Sequence, residues 1–169
     1  MSQLHMIELY WRMKEFLKPF DNICPQRCSE CEEKESLVIF PQEESFWNYT
    51  KKEVSTFLRN EEGYLYLPVS GPGCPFYKNK SCSEYKRRPF DCRMFPYYPI
   101  FDIYENAFVV NKEMACQFLI IPQEAQEDFR QAVIAVSDLL NINMPISWKI
   151  FYNLMNAHVT AKILTAEKV

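Results

Sequence analysis

Apolar positions recur at helical spacing toward both ends of this 169-residue chain and at strand spacing between them. Near the N-terminus Leu4, Ile7, Leu9, Trp11, Met13, Phe16 and Leu17 make a mixed helical pattern that Pro19 ends. Residues 123 to 140 place Ala125, Phe129, Ala132, Val133, Val136, Leu139 and Leu140 on one face of a second helix. Pro145 opens a last helix over 146 to 164, with Trp148, Phe151, Leu154, Met155, Val159 and Ile163 at similar spacing.

The middle of the chain is shorter-paced. Leu37 to Phe40 fits a strand or a helix lead-in. Pro41 followed by Gln42, Glu43 and Glu44 reads as a helix start, because acidic side chains suit a first turn. That helix would run through Phe46, Trp47, Val54, Phe57 and Leu58, with a break near Thr50. Gly63 permits a turn into the alternating strand YLYLPV, and Ile100 to Asn111 reads as a hairpin around Glu105 and Asn106. Two stretches carry no periodicity: CPQRCSEC at residues 24 to 31, a compact knuckle, and residues 73 to 99, rich in Cys, Pro and aromatics. The sum is an α+β fold, a small cysteine-rich lobe with short strands braced by N- and C-terminal amphipathic helices. One domain over 1–169 is expected, with the cysteine region at 24–118 and a helical part at 123–165.

Composition narrows the function. Apolar residues at 48% and aromatics at 15% mark a folding chain. The three glycines, Gly63, Gly71 and Gly73, cannot write a P-loop or a GxGxxG. A net charge of −3 gives no general attraction to nucleic acid. No apolar run nears the roughly 20 residues of a spanning helix. The first residues carry charges throughout and no signal-peptide core. A soluble cytoplasmic chain is expected, with neither nucleic acid nor membrane as a partner.

In a reducing compartment seven cysteines are poor disulfide formers. Buried thiols acting as small hydrophobes are the plainer reading, but five of the seven sit beside Pro, Ser or Asp. Cys24, Cys28 and Cys31 put three thiols on eight residues; Cys74, Cys82 and Cys92 form a second set, and Cys116 is a seventh. Thiolates select zinc, copper(I) or iron–sulfur clusters. Only Cys28-x-x-Cys31 has the spacing of a structural zinc knuckle, and His5 and His158 are the only imidazoles. An iron–sulfur cluster of the 4Fe-4S type therefore comes before zinc as the expected cofactor. Arg93 and the run Lys86-Arg87-Arg88 are expected to offset thiolate charge, and Phe76, Tyr77, Phe90, Phe95, Tyr97 and Tyr98 to shield a cluster from water. The spacing Cx3Cx2C is also that of radical-SAM enzymes, but Glu30 stands at the position that is usually aromatic there. No Gly-rich segment follows, and the chain is short for a β/α barrel. Asp91, beside Cys92, reads as a turn residue or a further ligand, and His158 as a core-edge residue.

Gly73, Cys74, Pro75 and Phe76, followed by Cys82, Ser83, Tyr85, Arg88, Pro89, Cys92, Arg93, Phe95 and Pro96, strongly resemble the pattern of the YkgJ-type cysteine-cluster proteins. That family is described as zinc- or iron-chelating, and the resemblance spans residues 24 to 118. The chain departs from it at Cys24, Cys28 and Cys31, which stand where the family has a CxxCxxCC-like cluster. Glu32 replaces the second Cys of the doublet, so one ligand is lost or Glu32 takes its place. Cys116 resembles the late family cysteine without the Pro-Gly that often follows it. The resemblance implies metal chelation by the seven cysteines, with Arg88 and Arg93 supporting them from behind. It supplies no reaction. A related module occurs in flagellin lysine methylases, which are much longer chains. A metal or cluster carrier is one reading; a cluster-dependent protein-modifying or redox enzyme is the other.

Overall fold

Ser36 to Ile39 are four consecutive buried residues, and their alternation divides the interior in two. The structure, a computed structural model, describes residues 3–22, 36–44, 57–68, 74, 76–79, 81–112 and 122–156. In chain order the elements are α1 (Gln3–Leu17), β1 (Ser36–Ile39), β2 (Leu58–Arg59), β3 (Leu65–Pro68), β4 (Tyr77–Lys78) and β5 (Ser81–Cys82). There follow α2 (Phe90–Arg93), β6 (Tyr97–Asp102), β7 (Ala107–Lys112), α3 (Gln123–Asn143) and α4 (Ile146–Met155). The α+β expectation holds: among the described residues, helices are mixed with three small antiparallel sheets, ordered β1-β3-β2, β4-β5 and β6-β7.

Successive strand residues point to opposite faces. Val38 and Phe40 therefore enter a main core, while Leu37 and Ile39 enter a second apolar cluster. The same division runs along β3, where Leu65 and Leu67 join the second cluster and Tyr64 and Tyr66 pack against the main core. This small sheet is a partition. On one side α1, α2, the β6-β7 hairpin, α3 and α4 share one core; on the other, Phe57 and Phe76 complete the second cluster.

The helices follow their predicted stripes with informative exceptions. Among the described side chains of α1, Leu9, Met13 and Leu17, four residues apart, are buried, whereas Ile7, Trp11 and Phe16 face outward. The helix tightens into a 3-10 turn at Lys18–Phe20 around Pro19. Phe129, Val133, Val136 and Leu140 give α3 its buried face, and extended backbone at Met144 before Pro145 ends it. Trp148, Phe151 and Tyr152 bury α4, but Leu154, read as part of its apolar face, is 63% exposed. Val159, Ile163 and His158 lie outside the described residues.

The helix expected from Pro41 starts later, at Glu44, and is replaced by a strand at Leu58 and Arg59. Residues 41 to 43 form a turn, closed by the Glu43 N–H donating to the Phe40 carbonyl at 2.9 Å. At the far end Leu58 and Arg59 pair with Tyr66 and Leu65. Asn60 accepts from the Tyr64 N–H at 2.8 Å across the turn containing Gly63, whose φ is +86°. Cross-strand pairing to β3 overrides the helical spacing of Phe57 and Leu58. The predicted hairpin is present and starts earlier, at Tyr97, directly after the cis Phe95–Pro96 bond. Its turn is held by Asp102, whose carboxylate accepts from the N–H groups of Tyr104 and Glu105 at 2.8 and 3.2 Å. Among the described residues no helix is long and apolar enough to cross a membrane.

Candidate functional site

Cys82 lies on β5 and Cys92 in α2, while Cys74 precedes β4. The Tyr77 N–H donates to the Cys74 carbonyl at 2.9 Å, which turns the chain into the β4-β5 ribbon. Tyr77 there pairs with Cys82, and Asn79 takes the turn at φ +53°. Ser83 closes the ribbon by donating its N–H and its hydroxyl to the Phe76 carbonyl at 2.7 and 2.9 Å. Phe76 is thereby fixed in the second cluster, its ring 6.3 Å from that of Phe57. A 3-10 turn at Tyr85–Arg87 leads to Pro89, which precedes α2 and suits a helix start. The N–H groups of Cys92 and Arg93 both donate to the Pro89 carbonyl at 3.0 Å.

All three cysteines are half-buried, and all three pack against the second apolar cluster. Burial pushes the Cys82 thiol above its ordinary range, and Cys74 nearby pushes in the same direction. The Glu84 backbone N–H and the Arg88 guanidinium oppose them. Burial thus disfavours negative charge on Cys82, and Arg88 offsets part of that.

Arg88 and Arg93 both reach Asp21, which follows the 3-10 turn after α1. Arg88 is buried, stacks over the Tyr85 ring at 4.2 Å and donates to the Asp21 carbonyl at 2.8 Å. Tyr85 donates its hydroxyl to the same carbonyl at 3.0 Å. Arg93 spreads its guanidinium over the Arg88 carbonyl at 3.0 Å, the Lys86 carbonyl at 3.1 Å and the Asp21 carboxylate. These two arginines hold the shape of the loop before α2.

Asp91 is fully buried, and its carboxylate accepts from Val38 N–H at 3.1 Å and from the Tyr152 hydroxyl at 3.0 Å. Of the two roles the sequence leaves open for Asp91, this bonding describes a structural tie. Glu43 is buried as well, and its carboxyl accepts from the N–H groups of Phe40 and Phe90, both at 3.2 Å. Burial raises it to about 8, against the pull of those N–H groups and of Arg93. The sequence presents Glu43 as a first-turn acid, whereas the fold buries it. No local pattern announces it, because its partner Phe90 lies 47 residues away.

The expected ligand set is brought together only in part. Cys24, Cys28, Cys31, Glu32 and Cys116 lie outside the described residues. Among the described residues no three His, Cys, Asp or Glu side chains converge as a ready metal site. The expected aromatic shield is also divided. Phe76 lies with the thiols, whereas Phe90 and Tyr97 belong to the main core, where Tyr97 meets Phe129 edge-on at 5.3 Å. The β1-β3 partition separates the two groups, and helix-facing pockets claim the larger rings.

Comparison with protein-family models, with curated proteins and with solved structures finds no match.

Proposed function

We propose that this chain is a metal-binding module that holds an iron–sulfur cluster, or zinc, through cysteine thiolates. One observation carries the reading: Cys74, which precedes β4, Cys82 on β5 and Cys92 in α2 are packed against a single apolar patch. Thiolates are soft ligands, and a shared apolar backing is what a cluster or a thiolate-bound zinc requires around it. Burial raises the Cys82 thiol, and Arg88 and the Glu84 N–H offset only part of that, so a bound cation would supply what a thiolate there lacks. Three thiols do not close a tetrahedral all-sulfur site, which takes four. The sequence offers Cys24, Cys28, Cys31 and Cys116 as the rest, and the resemblance of residues 73 to 96 to the YkgJ-type pattern points the same way.

The cluster comes before zinc because seven thiols accompany only two imidazoles. Metal and acid-labile sulfide analysis of anaerobically purified protein tests this. Brown protein with iron and sulfide is the expected result; colourless protein with stoichiometric zinc and no sulfide selects the zinc form. Protein with neither overturns the proposal. The role is that of a carrier, which delivers its metal to an apo-acceptor on mixing.

A further inference from the structure

A cavity of about 230 Å³ opens where α1, the Tyr85–Arg87 turn and α2 meet. Tyr10 and Phe90, with ring centroids 5.4 Å apart, give it an apolar side. Lys14, Lys86, Arg87, Arg88 and Arg93 also line it, and Glu43 is the one carboxyl in its described lining. Five cations on so small a hollow are unexpected in a chain of net charge −3.

Packing accounts for some of them. Arg93 is paired with Asp21, Arg87 with Glu84 at 2.6 Å, and Arg88 is tied to a backbone carbonyl. Lys14 and Lys86 are different: neither has a carboxylate partner among the described residues. The Lys14 ammonium lies over the Trp11 ring at 4.8 Å, and Lys86 is exposed. They reach the cavity from different elements, α1 and the turn. Glu43 does not offset them, because burial raises it to about 8 and it holds its proton at neutral pH. Like charges gathered without partners repel, and a bound anion removes that repulsion.

We infer that this cavity binds a phosphate group, free or as a small monoester, between Lys14 and Lys86. A phosphate carries close to two negative charges and presents several oxygens, which suits ammonium groups arriving from separate walls. The cavity is roomy enough for a few carbon atoms beyond the ion, and Tyr10 and Phe90 offer them an apolar surface. The site stands on α1, Glu43 and the basic turn rather than on the thiols, so it goes beyond metal binding.

Calorimetric titration of the full chain with inorganic phosphate, and separately with glycerol phosphate, at constant ionic strength tests the inference. Saturable binding is expected, weakened at least tenfold in the double variant Lys14→Ala/Lys86→Ala. Tighter binding of glycerol phosphate assigns the site to monoesters, and equal or weaker binding assigns it to the free ion. Circular dichroism checks that the double variant folds, with Lys86→Ala alone as the second variant because its side chain is exposed. Metal content is measured in the same samples, so that loss of phosphate binding and loss of metal are read separately. No saturable binding in the native chain, or binding unchanged in the folded variants, overturns the inference.

Discussion

The Tyr152 hydroxyl donates to Asp91 at 3.0 Å inside the core, joining α4 to the residue directly before Cys92. The second Asp91 oxygen receives the Val38 N–H at 3.1 Å, so β1 is held by the same carboxylate. Burial first, and then Asp91, raise Tyr152 well above the ordinary tyrosine range, which keeps the hydroxyl a donor. A C-terminal helix thereby fixes the placement of a candidate ligand 60 residues away in sequence, from Cys92 to Tyr152.

Removing that hydrogen bond has a defined consequence. Tyr152→Phe should lower stability by about 1–3 kcal/mol, because Asp91 stays buried with a donor missing. Asp91→Ala should cost more, since it strands the Val38 N–H and the Tyr152 hydroxyl together. Urea unfolding midpoints measure both. Equal midpoints for Tyr152→Phe and the native chain would show that the tie carries no stability.

Glu43 predicts a pH dependence. Its folded value of about 8 lies above the ordinary 4.5, so the folded state holds the proton more tightly. The stability this contributes is complete below pH 4.5 and is lost as pH rises through about 8. Glu43→Gln, which cannot ionise, should flatten the stability curve over that window. Above pH 8 the variant should exceed the native chain by on the order of 5 kcal/mol. Parallel curves for the two proteins would count against a buried, protonated Glu43.

Two positions read alike in the sequence should behave differently. Phe129 is fully buried in α3, and Phe129→Ala should cost about 3–5 kcal/mol. Leu154 faces out from α4, and Leu154→Ala should stay within about 0.5 kcal/mol. Denaturant titration of the pair checks the assignment of helix faces, and a large loss at Leu154 would reverse it.

The long amphipathic helices and both hairpin strands were legible because local spacing alone dictates them. The face of α3 from Phe129 to Leu140 and the alternation of Leu65 to Leu67 needed no knowledge of distant partners. Leu58 was not legible: its strand exists only because Tyr66 is there to pair with it. Nor were Asp91 and Glu43, whose partners Tyr152 and Phe90 are remote in the chain. The second cysteine set could be seen as chemistry, but its seating on Leu37, Ile39, Phe57, Leu65, Leu67 and Phe76 depends on the sheet acting as a partition. The expected aromatic shield is divided by the same partition, with Phe76 in the second cluster and Phe90 and Tyr97 in the main core.

The metal content of Cys92→Ser, purified anaerobically beside the native chain, bears most directly on the central claim. The account predicts that iron and acid-labile sulfide, or zinc, fall by more than half per chain while the helices persist by circular dichroism. Cys92 would then be a ligand, as pooling of the three thiols with Cys24, Cys28 and Cys31 requires. Full native metal content in Cys92→Ser would contradict it.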